Sequence, residues 1–224
     1  MRDNDTVFDH RRSAAFRDRA DAGQAVARLL TGYAGRNDVV VLGLPRGGVP
    51  VAYEVAKALA APLDVFVVRK LGVPGHEELA MGAIGPGGVR VLNESVVDNL
   101  RIPPEVIDEV ARTEEQELRR RELAYRGDRP PLALADRVVV LVDDGLATGA
   151  TMRAAVTAVR ASRPARVVIA VPVAARATCH ELQAEVDEVV CARTPLGFFA
   201  VGQSYEDFSP PSDEDIRRLL EAAG

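Results

Sequence analysis

The sequence has few of the residues that build metal centres or disulfide frameworks. It contains two cysteines, Cys179 and Cys191, and three histidines, His10, His76 and His180, with no CxxC and no zinc-ligand spacing. We expect Cys191 to be a core residue at the end of a strand and Cys179 to be a helix residue. A disulfide-stabilised or zinc-dependent protein is therefore not expected, and a reducing, cytoplasmic setting is the default prediction.

Long apolar runs, basic excess and several nucleotide motifs are also missing. The charged N-terminal segment lacks the apolar stretch of a signal peptide, and no apolar run is long enough to span a membrane. The net charge of -5 argues against a nucleic-acid partner. There is no GxxxxGK[ST], no GxGxxG after a strand and no GxSxG. These absences argue against P-loop NTPases, Rossmann-type dinucleotide enzymes and hydrolases with a nucleophile elbow.

Short apolar runs alternate with helical patterns along most of the chain, which is 47% hydrophobic. Strands are predicted at 38–42, 63–68, 89–92, 137–142, 167–173 and 188–191, and helices at 21–33, 50–60, 103–125, 151–160, 175–185 and from 212 onward. The glycine-rich, charged segment 69–88 is predicted to be mostly loop. This alternation predicts an α/β fold with a mostly parallel sheet flanked by helices. We expect an N-terminal helical extension over 1–37, with Phe8 and Phe16 as candidate anchors. A core over 38–191 follows, and then a small C-terminal hood with a final helix over 192–224.

The segment from Val138 to Thr151, VVVLVDDGLATGAT, is the most informative part of the sequence. A buried strand ends in Asp143 and Asp144, and a loop of small residues then leads into a helix. Unpaired N–H groups at a helix start suit a phosphate, and small residues allow close approach. The two carboxylates need another partner, and vicinal sugar hydroxyls or a metal ion are the candidates. The simpler alternative is an aspartate N-cap before a surface helix.

This segment resembles the PRPP-binding signature of the type I phosphoribosyltransferase family, where PRPP is phosphoribosyl pyrophosphate. The resemblance implies transfer of a phosphoribosyl group from PRPP to a nitrogen acceptor, with release of pyrophosphate. It assigns the ribose hydroxyls to Asp143 and Asp144. The 5-phosphate would be held by Ala147, Thr148, Gly149 and Thr151, and the same loop contributes Gly145, Leu146 and Ala150 as further substrate-binding candidates. The family usually has an aliphatic residue at position 145, and Gly145 is expected to loosen the loop while sparing its contacts.

Two further segments fit the layout of this family. Arg46, Gly47 and Gly48 lie in a loop after the first predicted strand, where the family places a pyrophosphate loop that often contains a strained peptide. Arg69 and Lys70 follow the second strand and would supply cations to the pyrophosphate. We assign Asp143, Asp144, Lys70 and Arg69 as catalytic residues on this resemblance. A tight turn and a solvated cation pair are the alternatives.

The remaining candidates concern the acceptor. The predicted loop 71–82 resembles a loop that closes over the substrate in the family, with His76 and Glu78 as candidate acid-base or positioning groups. The motifs PRGG and VRKLGVPGHEELAMGAI extend the likeness over most of 38–205, to a bacterial group of phosphoribosyltransferase-like proteins. Four of the ten Phe and Tyr residues lie in 192–208. Phe198 or Phe199 would stack on a heterocycle, with Asp207 a weaker candidate for a ring N–H. The alternative is that these aromatics only cover the end of the sheet.

The resemblance also implies cofactor and partners. Mg²⁺ is expected to bind mainly through PRPP oxygens and water, with Asp143 or Asp144 as a candidate protein ligand. The expected partners are PRPP, a small heterocyclic acceptor and a second copy of the chain in a homodimer, with no nucleic acid and no membrane. Two other functions fit the same pocket. One is a PRPP-sensing regulator without turnover, and the other is a ribose-phosphate hydrolase that uses water as the acceptor.

Overall fold

A parallel sheet of five strands forms the centre of the molecule. The computed structural model describes residues 15–223. The sheet consists of β1 (Val39–Gly43), β2 (Leu63–Val65), β6 (Val138–Val142), β7 (Arg166–Val173) and β8 (Glu188–Arg193), in the order β2-β1-β6-β7-β8. All four neighbouring pairs are parallel. The predicted α/β fold is therefore confirmed.

Seven helices flank the sheet or extend from it within the described residues. They are α1 (Arg19–Ala27), α2 (Gly48–Leu59), α3 (Glu94–Leu100), α4 (Pro104–Arg126), α5 (Ala150–Ala161), α6 (Arg176–Leu182) and α7 (Asp213–Ala223). No helix in this part of the chain is both long and apolar enough to cross a bilayer. Ser212 and Asp215 form the expected capping box at α7, since Asp215 N donates to Ser212 Oγ (3.1 Å) and Ser212 N donates to Asp215 Oδ2 (2.9 Å).

The two faces of the sheet pack into two separate hydrophobic cores, which explains why the strand sequences are apolar without interruption. Val40 and Leu42 of β1 pack in one core with residues of α5 such as Met152. Val39 and Val41 face the opposite way and pack with α1 and α2, through residues such as Val26 and Val55. The central strands β1, β6 and β7 are buried on both sides, as is typical of parallel sheets covered by helices.

The prediction of a loop over most of 69–88 is wrong. Arg69–Val73 (β3) and His76–Gly85 (β4) form an antiparallel hairpin, and Val89–Leu92 (β5) completes a separate three-stranded sheet. Apolar side chains of this hairpin, Leu71, Val73, Met81 and Ile84, are buried in a third cluster with α4 and α7. Two glycines mark close backbone approach, because a Cβ at Gly72 would lie 2.8 Å from Glu77 O and one at Gly82 would lie 2.5 Å from Val91 O.

Smaller differences concern element bounds and the cysteines. The second strand pairs only over Leu63–Val65, although Phe66 and Val67 beyond it are buried. Helix α3 was not predicted. Cys179 lies in α6 and Cys191 in β8, as expected, and both are buried, but they form a disulfide with Cα atoms 7.0 Å apart. The expectation of unpaired cysteines is therefore wrong, because packing of α6 on β8 brings the two side chains together.

Candidate functional site

The paired aspartates lie at the carboxyl end of β6, the edge of a parallel sheet where ligands bind. Asp143 Oδ1 accepts a hydrogen bond from the backbone N–H of Asp144 (2.8 Å). Burial raises the pKa of Asp143 well above its usual range, and the neighbouring Asp144 charge raises it further. Burial also raises the pKa of Asp144, although Arg19 opposes that rise. The pair is thus a desolvated acidic site, and Arg19 is the cation that contacts it among residues 15–223.

The predicted pyrophosphate loop, Leu44–Gly48, wraps directly around these acids. A Cβ on Gly47 would lie 1.9 Å from Asp144 Oδ2, and one on Gly48 would lie 2.8 Å from the Cα of Asp143. Any side chain at either position would displace the acids, so glycine is required here for space. The Pro45–Arg46 peptide bond in this loop is cis. The Arg46 side chain is about half exposed and approaches Asp213 of α7 at 3.8 Å.

The loop after the acids ends at the N-terminus of α5, as predicted. Gly149 is the N-cap residue and has φ 73°, a left-handed conformation that favours glycine. Ala147, Thr148 and Thr151 are exposed, whereas Leu146 is a buried anchor whose N–H donates to Val173 O (2.9 Å). Within residues 15–223, the N–H groups of Ala147, Thr148 and Gly149 donate to no other group. The loop therefore presents free donors beside the carboxylates, and Leu146 serves packing.

The C-terminal hood segment packs onto the same loop. A Cβ on Gly145 would lie 2.5 Å from the side chain of Val201, so the small residue makes room for the hood. Tyr205 fixes this contact, because its hydroxyl donates to Asp144 O (2.6 Å). Gly145 was expected to loosen the loop. In the structure, the space that an aliphatic side chain would take at this position is occupied by Val201.

The two predicted stacking residues have different surroundings. Phe198 packs against a small cluster that contains Phe16 and Tyr205. Phe199 is 90% exposed and its side chain is available to a ligand. Asp207 is exposed, and its Oδ1 accepts a hydrogen bond from Ser209 N (2.9 Å). Hydrogen bonding with the side chain and then the backbone of Ser209 lowers the pKa of Asp207. The structure therefore places the aromatic pair in the hood without bringing both rings to an open surface.

Arg19 is the site residue that sequence reasoning missed. Its Nε donates to Asp144 Oδ2 (2.9 Å) and its Nη1 to Ser209 O (2.8 Å), and its guanidinium lies 4.1 Å from the ring centroid of Phe208. The side chain is only 10% exposed. The contact joins positions 125 residues apart in the chain, and no spacing within the Arg-rich N-terminal segment distinguishes this arginine. Phe16 is buried as predicted, whereas Phe8 and His10 lie outside the described residues.

Arg69 and Lys70 lie at the base of the hairpin, where they line a cavity of about 580 Å³ between the hairpin and α4. Arg69 Nε donates to Glu114 Oε2 of α4 (2.6 Å), so its guanidinium is paired with that helix. His76 is exposed at the start of β4. Glu78 lies in the same strand, and its side chain is outside the described part of the structure. None of the described contacts of Arg69 brings it to the acidic pair.

No compact metal centre occurs in the described chain. Residues 15–223 contain no cluster of three or more His, Cys, Asp or Glu side chains that could hold a metal ion. Asp143 and Asp144 still offer carboxylate oxygens of the kind that Mg²⁺ accepts, with one oxygen of Asp144 taken by Arg19. This donor set fits an ion held mostly by ligand oxygens and water.

These features define a phosphoribosyltransferase-type fold with its acidic pair and small-residue loop in place. The chain belongs to the phosphoribosyl transferase domain family, whose model matches residues 16–206. It is similar to the crystal structure of TT1426 from Thermus thermophilus, with 45% identity and a TM-score of 0.85, covering 94% of this chain and 99% of that one.

Two curated relatives show how far this likeness extends. Rv0571c of Mycobacterium tuberculosis H37Rv, named as a phosphoribosyl transferase with its activity unconfirmed, is 50% identical over 208 residues, which cover 93% of this chain and 47% of that protein. The bifunctional protein PyrR of Roseiflexus sp. RS-1 is 34% identical over 131 residues, 54% of this chain and 62% of that protein. The chain thus spans about half the length of the mycobacterial relative.

Proposed function

We propose that this chain transfers the phosphoribosyl group of PRPP to a ring nitrogen of a small heterocycle and releases pyrophosphate. One observation carries the proposal: two desolvated carboxylates lie beside a loop with three unused N–H donors. Carboxylates repel phosphate but accept hydrogen bonds from hydroxyls, and free N–H groups at a helix start attract phosphate. A ribose 5-phosphate presents both groups along one molecule.

The chain's own residues would act mainly by positioning and charge. Asp143 and Asp144 would accept hydrogen bonds from the ribose hydroxyls, which places negative charge near the cationic C1 that forms as pyrophosphate leaves. The loop at Ala147 to Thr151 would hold the 5-phosphate and fix the sugar. The Arg46 loop, Arg69 and Lys70 are proposed to face the pyrophosphate. Mg²⁺, when bound, would neutralise pyrophosphate oxygens, with Asp143 or Asp144 as the available protein oxygen donors.

The acceptor, the oligomer and the cellular setting stay predictions. An exposed aromatic ring at Phe199 supports a planar acceptor, because a heterocycle can stack on such a ring. The cytoplasmic setting and the homodimer are proposed from the family likeness. The division of the chain into extension, core and hood is also a proposal.

Calorimetric titration with ribose 5-phosphate tests the binding half of this proposal. Each lost charge-assisted hydrogen bond costs about 1.5–3 kcal/mol, so Asp143→Asn and Asp144→Asn should each weaken binding by roughly tenfold or more. Asp98→Asn, at an exposed position in α3, is the matched control and should bind like the wild type. Unchanged affinity in both site variants, with the fold intact, would remove the acidic pair from the proposed site.

A turnover screen tests the reaction. The protein is incubated with PRPP, Mg²⁺ and a panel of nucleobases and related heterocycles, and pyrophosphate release is followed. Release that depends on an acceptor supports transfer. Release without an acceptor indicates a hydrolase, and tight PRPP binding without release indicates a sensor.

A further inference from the structure

The loop at 147–151, which is proposed to bind the phosphate, accepts hydrogen bonds from two side chains that lie outside its sequence motif. Thr178 Oγ1, in α6, donates to Ala147 O (2.6 Å). Arg153 Nη1, in the first turn of α5, donates to Thr148 O (3.0 Å). The other two guanidinium nitrogens of Arg153 donate to Glu185 Oε1 (2.8 Å) and Glu181 Oε2 (2.7 Å), in and just after α6.

These contacts fix the direction in which the loop donors point. In a trans peptide the C=O of one residue and the N–H of the next point in opposite directions. The only cis bond in the described chain is Pro45–Arg46. Holding Ala147 O toward α6 therefore turns the Thr148 N–H away from α6, and holding Thr148 O toward Arg153 turns the Gly149 N–H away from the Arg153 guanidinium. Those are two of the three N–H groups of this loop, at Ala147, Thr148 and Gly149, that donate to no group among residues 15–223.

We propose that Arg153 and Thr178 are positioning residues that orient the Thr148 and Gly149 N–H groups toward the phosphate of the ligand. The inference rests on the proposed function and names how the same site is preorganised. A bound phosphate then meets donors already aimed at it, so less ordering is needed on binding.

The charge around Arg153 shows that its role is geometric. Its single positive charge is outweighed by the two carboxylates of Glu181 and Glu185, so the group as a whole carries no positive charge with which to attract a phosphate. Three of its nitrogens bond in three directions, a use of the planar guanidinium that a lysine ammonium does not reproduce. Thr178 is 6% exposed, and its methyl group also lies against Gly149, since a Cβ there would be 2.9 Å away.

The chain offers matched controls for both residues. Arg160 lies two turns further along α5 and also bonds to the segment after α6, at Glu185 O and Asp187, without reaching the loop. Arg160→Ala therefore reports general loosening between these helices. Thr178→Ser keeps the hydroxyl donor, whereas Thr178→Val keeps the shape and removes it.

The experiment is calorimetric titration of the full chain and these variants with ribose 5-phosphate, with unfolding temperatures recorded alongside. Arg153→Ala should weaken binding by about tenfold and Thr178→Val by about fivefold, from the usual worth of a charged and a neutral hydrogen bond. Thr178→Ser and Arg160→Ala should bind within about twofold of the wild type, which is less than one neutral hydrogen bond.

Equal affinity of Arg153→Ala and the wild type overturns this inference alone. So does an equal loss in Arg153→Ala and Arg160→Ala, or in Thr178→Ser and Thr178→Val, because the effect would then be structural. A wild type that does not bind ribose 5-phosphate overturns the proposed function itself, and this inference with it.

Discussion

At the scale of single residues, the burial of two adjacent carboxylates makes the acidic pair a place where the fold loses stability. Asp143 is desolvated beside a second carboxylate, and its pKa is raised for both reasons. A carboxyl group whose folded pKa lies above its unfolded value of about 3.9 disfavours the folded state at neutral pH. Such a cost persists when the site needs the charge for a ligand.

The first prediction follows from the upward direction of the Asp143 pKa shift. Asp143→Asn should unfold at a higher temperature than the wild type at pH 7, because the amide needs no ionisation. The wild type binds extra protons when folded, so its stability falls as pH rises from about 4 through the raised folded pKa. The difference between the two proteins should vanish below about pH 4 and grow as pH rises. A constant difference from acidic to neutral pH in thermal unfolding would contradict the raised pKa.

A second prediction concerns the cations after β2. Lys70→Ala should lower affinity for PRPP far more than affinity for ribose 5-phosphate, because only PRPP carries the pyrophosphate. Lys57→Ala, an exposed lysine in α2, is the control and should change neither affinity. Calorimetry with PRPP and with ribose 5-phosphate measures how much affinity each variant loses for each ligand. An equal loss for both would show that Lys70 does not contact the pyrophosphate.

The sequence supports inference about residues that are neighbours in the chain better than about residues that meet in space. The acidic pair and the loop to Thr151 form one strand-loop-helix unit, so its position follows from local pattern, although the N-cap is Gly149 and not an aspartate. Arg19, Tyr205 and the contact of Gly47 with Asp144 arise from tertiary packing. No local signal distinguishes them, and Arg153 was likewise indistinguishable from other helix arginines.

At the scale of elements, the largest error in the sequence prediction was the β3–β4 hairpin. Its glycines were interpreted as loop signals, although Gly72 and Gly82 lie where strand backbones approach closely. The alternation of Leu71 with Val73 and of Met81 with Ala83 places apolar side chains in the core and was the stronger signal. The continuous runs of β1, β6 and β7 were predicted because strands buried on both faces leave little ambiguity.

The hood element gives a third prediction, on the acceptor. Phe199→Ala should raise KM for the acceptor by roughly tenfold, since stacking on a base is worth about 1–3 kcal/mol, and should leave PRPP affinity and stability nearly unchanged. Phe198→Ala should also raise acceptor KM and, because Phe198 packs with Phe16 and Tyr205, should lower the unfolding temperature as well. Leu196→Ala is the control, being 95% exposed in the same segment without a ring.

Steady-state kinetics with an acceptor found by the turnover screen decides between the two interpretations of the hood. If Leu196→Ala raises acceptor KM as much as Phe199→Ala, the segment acts through its shape and not through stacking. If neither phenylalanine variant changes acceptor use, the aromatics only cover the sheet end, and the hairpin at 71–82 becomes the next candidate for the acceptor.

At the scale of the whole molecule, the segment that begins the described chain and the hood segment at 204–209 meet at the acidic pair. Phe16 N donates to Ser204 O (2.8 Å) and Glu206 N donates to Phe16 O (2.7 Å), so the segment before α1 pairs with the hood. Arg19 then connects that pairing to Asp144 and to Ser209. The site is thus closed by segments from opposite ends of the sequence, and its geometry depends on the complete fold.

The last prediction measures that dependence. Arg19 and Asp144 are 10% and 15% exposed, so Arg19→Ala leaves a carboxylate without its counter-charge in a nearly dry environment. Removing one partner of a buried pair costs about 3–5 kcal/mol, and we expect the lower end of that range because both groups keep some contact with solvent. Arg17, two residues before Arg19, is the control because it forms an exposed ion pair with Asp21. Arg17→Ala should lower the free energy of unfolding by less than about 1 kcal/mol. In a double-mutant cycle by urea unfolding at pH 7, Asp144→Asn should recover much of the loss caused by Arg19→Ala, because it removes the unpaired charge. If the two substitutions are instead additive, Arg19 stabilises the fold through its contacts with Phe208 and Ser209 O and not through Asp144.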